Sequence, residues 1–321
     1  MAAPLKGIAR LAQLAPVLEQ KRVVSYSQLP AYELLNRCSS ERMPFDWTIN
    51  PYRGCEIGCK YCYARYTHEF MEMKDPLEFE TRIFAKQWNP AVFRERLRKA
   101  DPRDRIALGT ATDPYQAAER RYGLTRSILE VFATMPGRRL AITTKSDLVL
   151  RDVELLAAIG RHSELSVNMT ITTLDADLAR KMEPRTARPE LRIEALRALV
   201  SAGVRCGVLC CPIMPLINDK EKQLDELAGA ARAAGAEWFA GNILFLTTLP
   251  RQVFFEFLKA EFPHLVGKYR QAFAGSAYLR GDYAERMKER VRTIRARHGF
   301  QSRPGTWQEK PERPLPLFDG D

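Results

Sequence analysis

The chain has 321 residues, a formal net charge of +11 at pH 7, 45% hydrophobic residues and 28% charged residues. The length suits one large α/β domain with an appendage, and the composition is close to that of an average soluble globular protein. No run is long and apolar enough to span a bilayer, which argues against a membrane protein, and the basic balance favours polyanionic partners, nucleic acid among them.

Residues 1–24 carry Lys6, Arg10, Lys21 and Arg22 against the single acid Glu19. They lack the serine enrichment and amphipathic face of a transit peptide, so a frayed terminus is expected and 1–44 reads as a partly disordered extension. From residue 45 short apolar strands alternate with helical patterns, the mark of parallel βα units. Phe45, Trp47 and Ile49 alternate with Asp46, Thr48 and Asn50 as a first strand, which Pro51 and Gly54 break into a loop. Asn89 is a candidate helix N-cap with Pro90 at the first helical position. Ile106 and Leu108 lead a second strand into 109–114, and Thr125 is placed as the cap of a helix carrying Ile128, Leu129 and Phe132. Residues 140–142 form the third strand, with a helix beginning near Asp152.

The fourth strand alternates Leu165, Val167, Met169 and Ile171 with Ser166, Asn168, Thr170 and Thr172, so its polar face is expected to line a site. A helix over 190–202 stops at Gly203, the fifth strand runs 204–211 to end at Pro212, and a helix over 219–234 stops at Gly235. Residues 238–246 supply a sixth strand. Six such units fall short of the eight in a full barrel.

Seven cysteines, an odd number with three inside eight residues and no secretory signal, point to metal chemistry in a reducing, cytoplasmic compartment rather than to disulfides. Cys55, Cys59 and Cys62 have the spacing C-x3-C-x2-C on a loop containing Gly54 and Gly58. A structural zinc site and a simple electron-transfer cluster each need four ligands, and no fourth cysteine lies nearby. Three ligands leave a coordination position open for a reactant.

The motif follows a first strand, with Tyr61 directly before its last cysteine, and so resembles that of the radical S-adenosylmethionine superfamily. The string over 50–65, Asn-Pro-Tyr-Arg-Gly-Cys-Glu-Ile-Gly-Cys-Lys-Tyr-Cys-Tyr-Ala-Arg, resembles the branch related to spore photoproduct lyase, as do 109–115, 144–146, Glu183-Pro184 and Pro212-Ile213. The likeness covers about 45–246. It implies an α/β fold, a partial (β/α)6 barrel over 45–249, with a [4Fe–4S] cluster on Cys55, Cys59 and Cys62 and S-adenosylmethionine on the open iron. It also implies a 5′-deoxyadenosyl radical, a low-potential electron donor of flavodoxin or ferredoxin type, and DNA, RNA or protein as substrate. By the same likeness the backbone around Tyr61 faces the adenine, the turn Thr110 to Asp113, with Thr112, binds the methionine amino group, and Lys145 meets its carboxylate. Thr170 matches a small hydroxyl residue on the fourth strand. Thr112 and Asp113 also read as a plain turn before Pro114; Lys145 near a helix start opposes the helix dipole, which favours a functional reason.

The branch carries a hydrogen-donor cysteine at the end of the second strand, where this chain has Thr110, Ala111 and Thr112, so thymine-dimer repair is not carried over. Cys206, Cys210 and Cys211 read as small core hydrophobes, with a radical relay or extra ligand as the alternative, and Cys38 as an inert thiol. A non-catalytic iron–sulfur or zinc protein that binds nucleic acid is the competing class. Residues 250–299 read as a helical, basic extension in which Arg286, Lys288, Arg290, Arg292, Arg295 and Arg297 form, with the basic stretch 94–105, either a phosphate-tracking face or a solvated one. The tail, 300–321, is expected to be flexible. Its residues 314–318, Pro-Leu-Pro-Leu-Phe, resemble the peptide by which bacterial repair proteins dock on the sliding clamp, lacking its leading glutamine; folding back as a cap is the alternative.

Overall fold

The computed structural model describes residues 6–20, 24–31, 33–40 and 43–300. Among these, eleven strands form two sheets: β1 (Val17–Gln20), β2 (Ser25–Pro30), β3 (Leu35–Arg37), β4 (Trp47–Ile49), β5 (Tyr52–Arg53), β6 (Arg82–Gln87), β7 (Arg105–Leu108), β8 (Arg139–Thr144), β9 (Glu164–Thr170), β10 (Cys206–Ile213) and β11 (Trp238–Ile243). The larger sheet has the order β11-β10-β9-β8-β7-β4-β3. Its strands β4, β7, β8, β9, β10 and β11 run parallel, and β3 closes one edge antiparallel to β4. These six parallel strands are the six read from the sequence. The sheet stays open, because no ladder joins β11 to β3 among the described residues.

Alternation explains which face meets which layer. Leu165, Val167 and Met169 of β9 join the core shared with Leu196 and Leu199 of the helix Pro189–Ser201. The opposite face is buried too, and its polar groups are paired: Asn168 Nδ2 donates to Ile142 O at 3.3 Å, and Trp238 Nε1 donates to Asn168 Oδ1 at 3.1 Å. At Gly207 a Cβ would lie 2.2 Å from the Trp238 ring, so only glycine leaves room for that indole inside the sheet's concave side.

Local signals settle several helix ends. Asn89 Oδ1 accepts from the backbone N–H of Ala91 and Val92 and starts Pro90–Lys99. Thr125 does not cap Leu124–Ala133; Gly123 stands at that position, and the buried Glu119 carboxylate accepts from the N–H of Thr125 and Arg126. An acid supplied from the preceding turn satisfies the free helix donors that Thr125 was expected to meet. Strand β10 also does not end at Pro212. Its register shifts between Cys210 and Ile213, and pairing resumes with Ile243.

A second sheet, β1-β2-β6-β5, is built largely from the segment before residue 45. Where that segment is described it is structured: the helix Gly7–Leu14 buries Ala9 and Ala12, and β2 buries Tyr26 and Leu29. Strand β5 ends one residue before Gly54-Cys55, so this sheet anchors the start of the cysteine loop. At the other end, Phe254, Phe257, Tyr269 and Phe273 of the helices Thr248–Glu261 and Val266–Ala272 and the residue following them share one apolar cluster with Cys55, Ile57, Cys59 and Tyr61. The helix Asp282–Arg297 buries Ala284, Met287, Val291 and Ile294, a 3-4-3 spacing that gives one apolar stripe. The expected clamp-like peptide at 314–318 lies outside the described residues.

Candidate functional site

Two glycines let the cysteine loop fold as it does. Gly54 has φ +76°, and a Cβ there would lie 2.6 Å from the Arg82 carbonyl; at Gly58, φ +70°, it would lie 2.2 Å from Glu80 Oε2. The loop's polar groups are then met from four directions. Gln116 Oε1 accepts from Glu56 N–H at 3.0 Å while its Nε2 donates to Gly54 O at 3.1 Å. Glu56 Oε1 accepts from Ala118 N–H and Oε2 from Tyr26 Oη. Arg185 donates to Glu56 O at 2.8 Å, and the fully buried Arg65 donates to Cys59 O at 3.0 Å and pairs with Glu80 at 3.2 Å.

Cys55 and Cys59 are buried and Cys62 half-buried, all as free thiols. Burial pushes the Cys59 thiol up to about 12, with Lys145 pulling against it, and burial likewise raises Cys55, with the charges of Cys62 and Cys59 adding to the rise. They share one loop rather than one point: no group of three or more His, Cys, Asp or Glu side chains among the described residues stands gathered as a metal cage.

Opposite the loop, the turn after β7 hangs on Asn50. Its Oδ1 accepts from Ala111 N–H at 2.8 Å and Thr112 N–H at 3.3 Å, and its Nδ2 donates to Thr110 Oγ1 at 3.1 Å. Asp113 commits both oxygens to its neighbours, accepting from Thr144 Oγ1 at 2.7 Å and Tyr115 N–H at 2.9 Å on one, and from Lys145 N–H at 2.7 Å on the other. Asp113 is thus a turn residue and also a positioning residue for Lys145. The Lys145 ammonium lies 5.9 Å from the centre of the Tyr61 ring. Burial alone would lower its pKa, but Cys59, Glu183, Asp113 and Cys62 together hold it above the usual lysine range.

Tyr61 donates its hydroxyl to Glu183, which also accepts from Thr172 Oγ1 at 3.1 Å and forms an ion pair of 2.6 Å with the buried Arg192. Burial pushes Glu183 up, yet Arg192 and Lys145 outweigh it and keep the carboxyl below its ordinary value. Thr170 is buried on β9, and its tie to this network is its carbonyl, which accepts from Arg192 Nη1 at 3.0 Å. The sequence singled out Glu183 only as half of a Glu-Pro match and Asn50 only within the first strand and as the first residue of the 50–65 string, and it carried no signal for Arg192 or Gln116.

The remaining thiols separate by strand face. Cys206 and Cys210 sit in the outer core, with the Cys210 thiol facing Thr172 O at 3.7 Å. Cys211 points the other way, half-buried, and burial pushes its thiol up to about 11, with the Asn242 backbone and Lys145 pulling against it.

The family model of the Radical SAM superfamily matches residues 49–228, which runs from the last residue of β4 through the cysteine loop, the Asp113 turn, Lys145 and Glu183. The chain belongs to the radical SAM superfamily. This radical SAM enzyme is 34% identical over 297 residues to Uncharacterized protein Rv2578c of Mycobacterium tuberculosis, covering 92% of this chain and 87% of that one. It is 31% identical over 180 residues to Uncharacterized protein MJ0683 of Methanocaldococcus jannaschii, covering 56% and 65%. Its fold matches a spore photoproduct lyase mutant with bound AdoMet and dinucleoside spore photoproduct at a TM-score of 0.61, 17% identity and coverage of 84% and 79%. Streptococcus suis SuiB bound to S-adenosylmethionine matches at 0.51, 16% identity and coverage of 78% and 47%. Membership implies S-adenosylmethionine and an iron–sulfur cluster. The donor set fits: three free thiols on one loop are soft ligands suited to iron–sulfur chemistry, and the Lys145 cation offsets negative charge at Cys59 and Cys62. No helix among the described residues is long and apolar enough to cross a membrane.

Proposed function

We propose that Cys55, Cys59 and Cys62 hold a [4Fe–4S] cluster at which S-adenosylmethionine is reductively cleaved, and that the resulting radical acts on a nucleobase-containing substrate. The observation that carries the first part is one loop of three free thiols, two buried and one half-buried, with the Lys145 cation set against Cys59 and Cys62 and the Glu183–Arg192 pair beside it. Held by Cys55, Cys59 and Cys62, the cluster would supply the one electron needed to cleave the sulfonium of S-adenosylmethionine to methionine and a 5′-deoxyadenosyl radical. Lys145, oriented by Asp113, donates to the methionine carboxylate, and the Thr110–Thr112 turn receives the amino group. The Tyr61 backbone flanks the adenine, and Thr170 lines the interior below. Glu183, paired with Arg192, holds the Tyr61 hydroxyl in place. The reductant is a low-potential carrier of flavodoxin or ferredoxin type, and the seven free thiols support a reducing, cytoplasmic setting.

What supports a nucleobase is an aromatic ladder beside the same turn. Tyr63 donates its hydroxyl to Thr110 O, its ring lies 5.5 Å from Phe245, and Phe245 stacks on Tyr278 at 5.4 Å and 17°. Tyr278 stays half exposed, and every base has a π-face to stack on such a ring. The basic helix lends no support, because Lys288, Arg290, Arg292 and Arg297 each face a carboxylate. Thymine-dimer repair is not proposed, since Thr110, Ala111 and Thr112 stand where a hydrogen-donor cysteine would be needed.

The test is anaerobic reconstitution with iron and sulfide, reduction by dithionite and chromatographic detection of 5′-deoxyadenosine, with and without single-stranded oligonucleotide. Four irons per chain and formation of the nucleoside are expected, both absent from Cys55→Ala, Cys59→Ala and Cys62→Ala. A cluster-loaded protein that never forms it under either condition sinks the reading. Equal oligonucleotide affinity in Tyr278→Ala and the parent removes the nucleobase.

A further inference from the structure

An open groove of about 880 Å³ runs between the cysteine loop and the helix Thr248–Glu261, and none of Tyr61, Thr110, Asp113 or Lys145 lines it. Its floor is apolar, with Phe255, Phe257 and Phe273, and Leu77 stands 47% exposed on the rim. Five cations and three acids line it. Two ion pairs, Lys181 with Glu261 at 2.9 Å and Lys259 with Glu256 at 2.6 Å, cancel four of these charges. Left over are Lys60, Arg251 and Arg270 against Asp75 alone, so the groove is net positive. Arg251 spans the backbone carbonyls of Leu246 and Ser276, which do not neutralise it.

The groove wall is joined to the ligand loop by short links. Lys60 follows Cys59 directly, and its N–H donates to Met182 O at 2.9 Å, beside Lys181 of the wall. Arg65 donates from one guanidinium to Pro76 O at 2.7 Å, on the groove rim, and to Cys59 O at 3.0 Å. A partner seated here would stand one residue from a cluster ligand without entering the cofactor side.

We propose that this groove is the docking face for an acidic one-electron carrier, a flavodoxin-type protein with an apolar edge around its redox group. The proposal rests on the cluster reading above. In the step one electron leaves the reduced carrier and enters the group held by Cys55, Cys59 and Cys62; no bond forms or breaks and no proton moves. An apolar floor with a basic rim matches how transient interfaces are built, as an electron-transfer encounter that must release its partner each turnover requires. Charge of opposite sign on the carrier would raise the encounter rate and make it fall with salt.

The experiment compares the parent with Arg270→Glu/Leu77→Glu, neither residue belonging to the cofactor site. Titration calorimetry with an acidic flavodoxin at low salt reads the Kd, and 5′-deoxyadenosine is measured with reduced flavodoxin and with dithionite. Expected are a Kd raised at least tenfold, a matching loss of flavodoxin-driven product and unchanged dithionite-driven product. Unchanged Kd and flavodoxin-driven rate overturn the proposal. So does a variant that loses affinity for single-stranded oligonucleotide but not for flavodoxin, or one that only loses a concentration-dependent dimer. Absence of dithionite-driven product from the parent would instead count against the cluster reading, and the calorimetric Kd would still report on docking.

Discussion

Charge is concentrated in two places in this molecule, and they are built on opposite principles. Around the cysteine loop, Arg65, Glu56, Glu80, Glu183 and Arg192 are buried, and each meets more than one partner. Along Asp282–Arg297 most of the cations are exposed and pair with acids at the surface, Arg292 with Glu289 and Arg297 with Glu221 and Asp225. Stretch 94–105 behaves the same way, with Arg98 on Glu95 and Arg103 on Asp101. Removing one member of a buried pair strands the other in a medium that cannot solvate it, whereas an exposed pair is screened by water and contributes little. A few dry charges therefore define the site, and the larger number of wet ones does not.

The largest effect should come from the buried carboxylate. Glu183→Gln leaves Arg192 without its counter-charge and should destabilise the protein by about 3–5 kcal/mol, read from urea unfolding. An unchanged midpoint would make this network no different from the surface pairs.

Next comes pH. Burial lowers His68, on the segment Tyr63–Met71 that follows the cysteine loop, to about 4 from its ordinary 6.5. The unfolded chain therefore binds this proton first, so stability falls as pH drops from about 6.5 towards 4, by a few kcal/mol in all. His68→Leu should flatten that part of the stability–pH curve relative to the parent; parallel curves would refute a buried neutral imidazole.

A smaller effect is expected at the cofactor contact. Lys145→Ala should weaken S-adenosylmethionine binding by about 1.5–3 kcal/mol while iron content stays at the parent level. Unaltered affinity in a titration would move Lys145 from the site to the scaffold. Smallest of all, Arg292→Ala should leave the melting temperature where it is, and a clear drop would mean that the basic helix is more than a solvated face.

The six parallel strands were legible because each presents a period-two or apolar run of its own, as in 165–172, and most are bounded by glycine or proline. The cysteine loop was legible because three cysteines within eight residues must share one loop. The second sheet was not: β2 pairs in parallel with β6 across more than fifty residues, and nothing within Ser25–Pro30 names that partner. Thr125 misled for a similar reason, since the acid that meets its helix start lies six residues back and is brought there by a turn.

Sequence by itself determined the elements whose stabilising contacts are local: the strand alternation, the Asn89 cap, the stops at Gly203 and Gly235, and a three-thiol loop that needs glycine at 54 and 58. Tertiary structure decided which buried charges face each other, that residues 250–273 share a core with the loop, and that Asp113 serves Lys145. Those outcomes depend on desolvated groups finding partners from distant segments, and the energy that selects a partner exists only once water has been excluded from both.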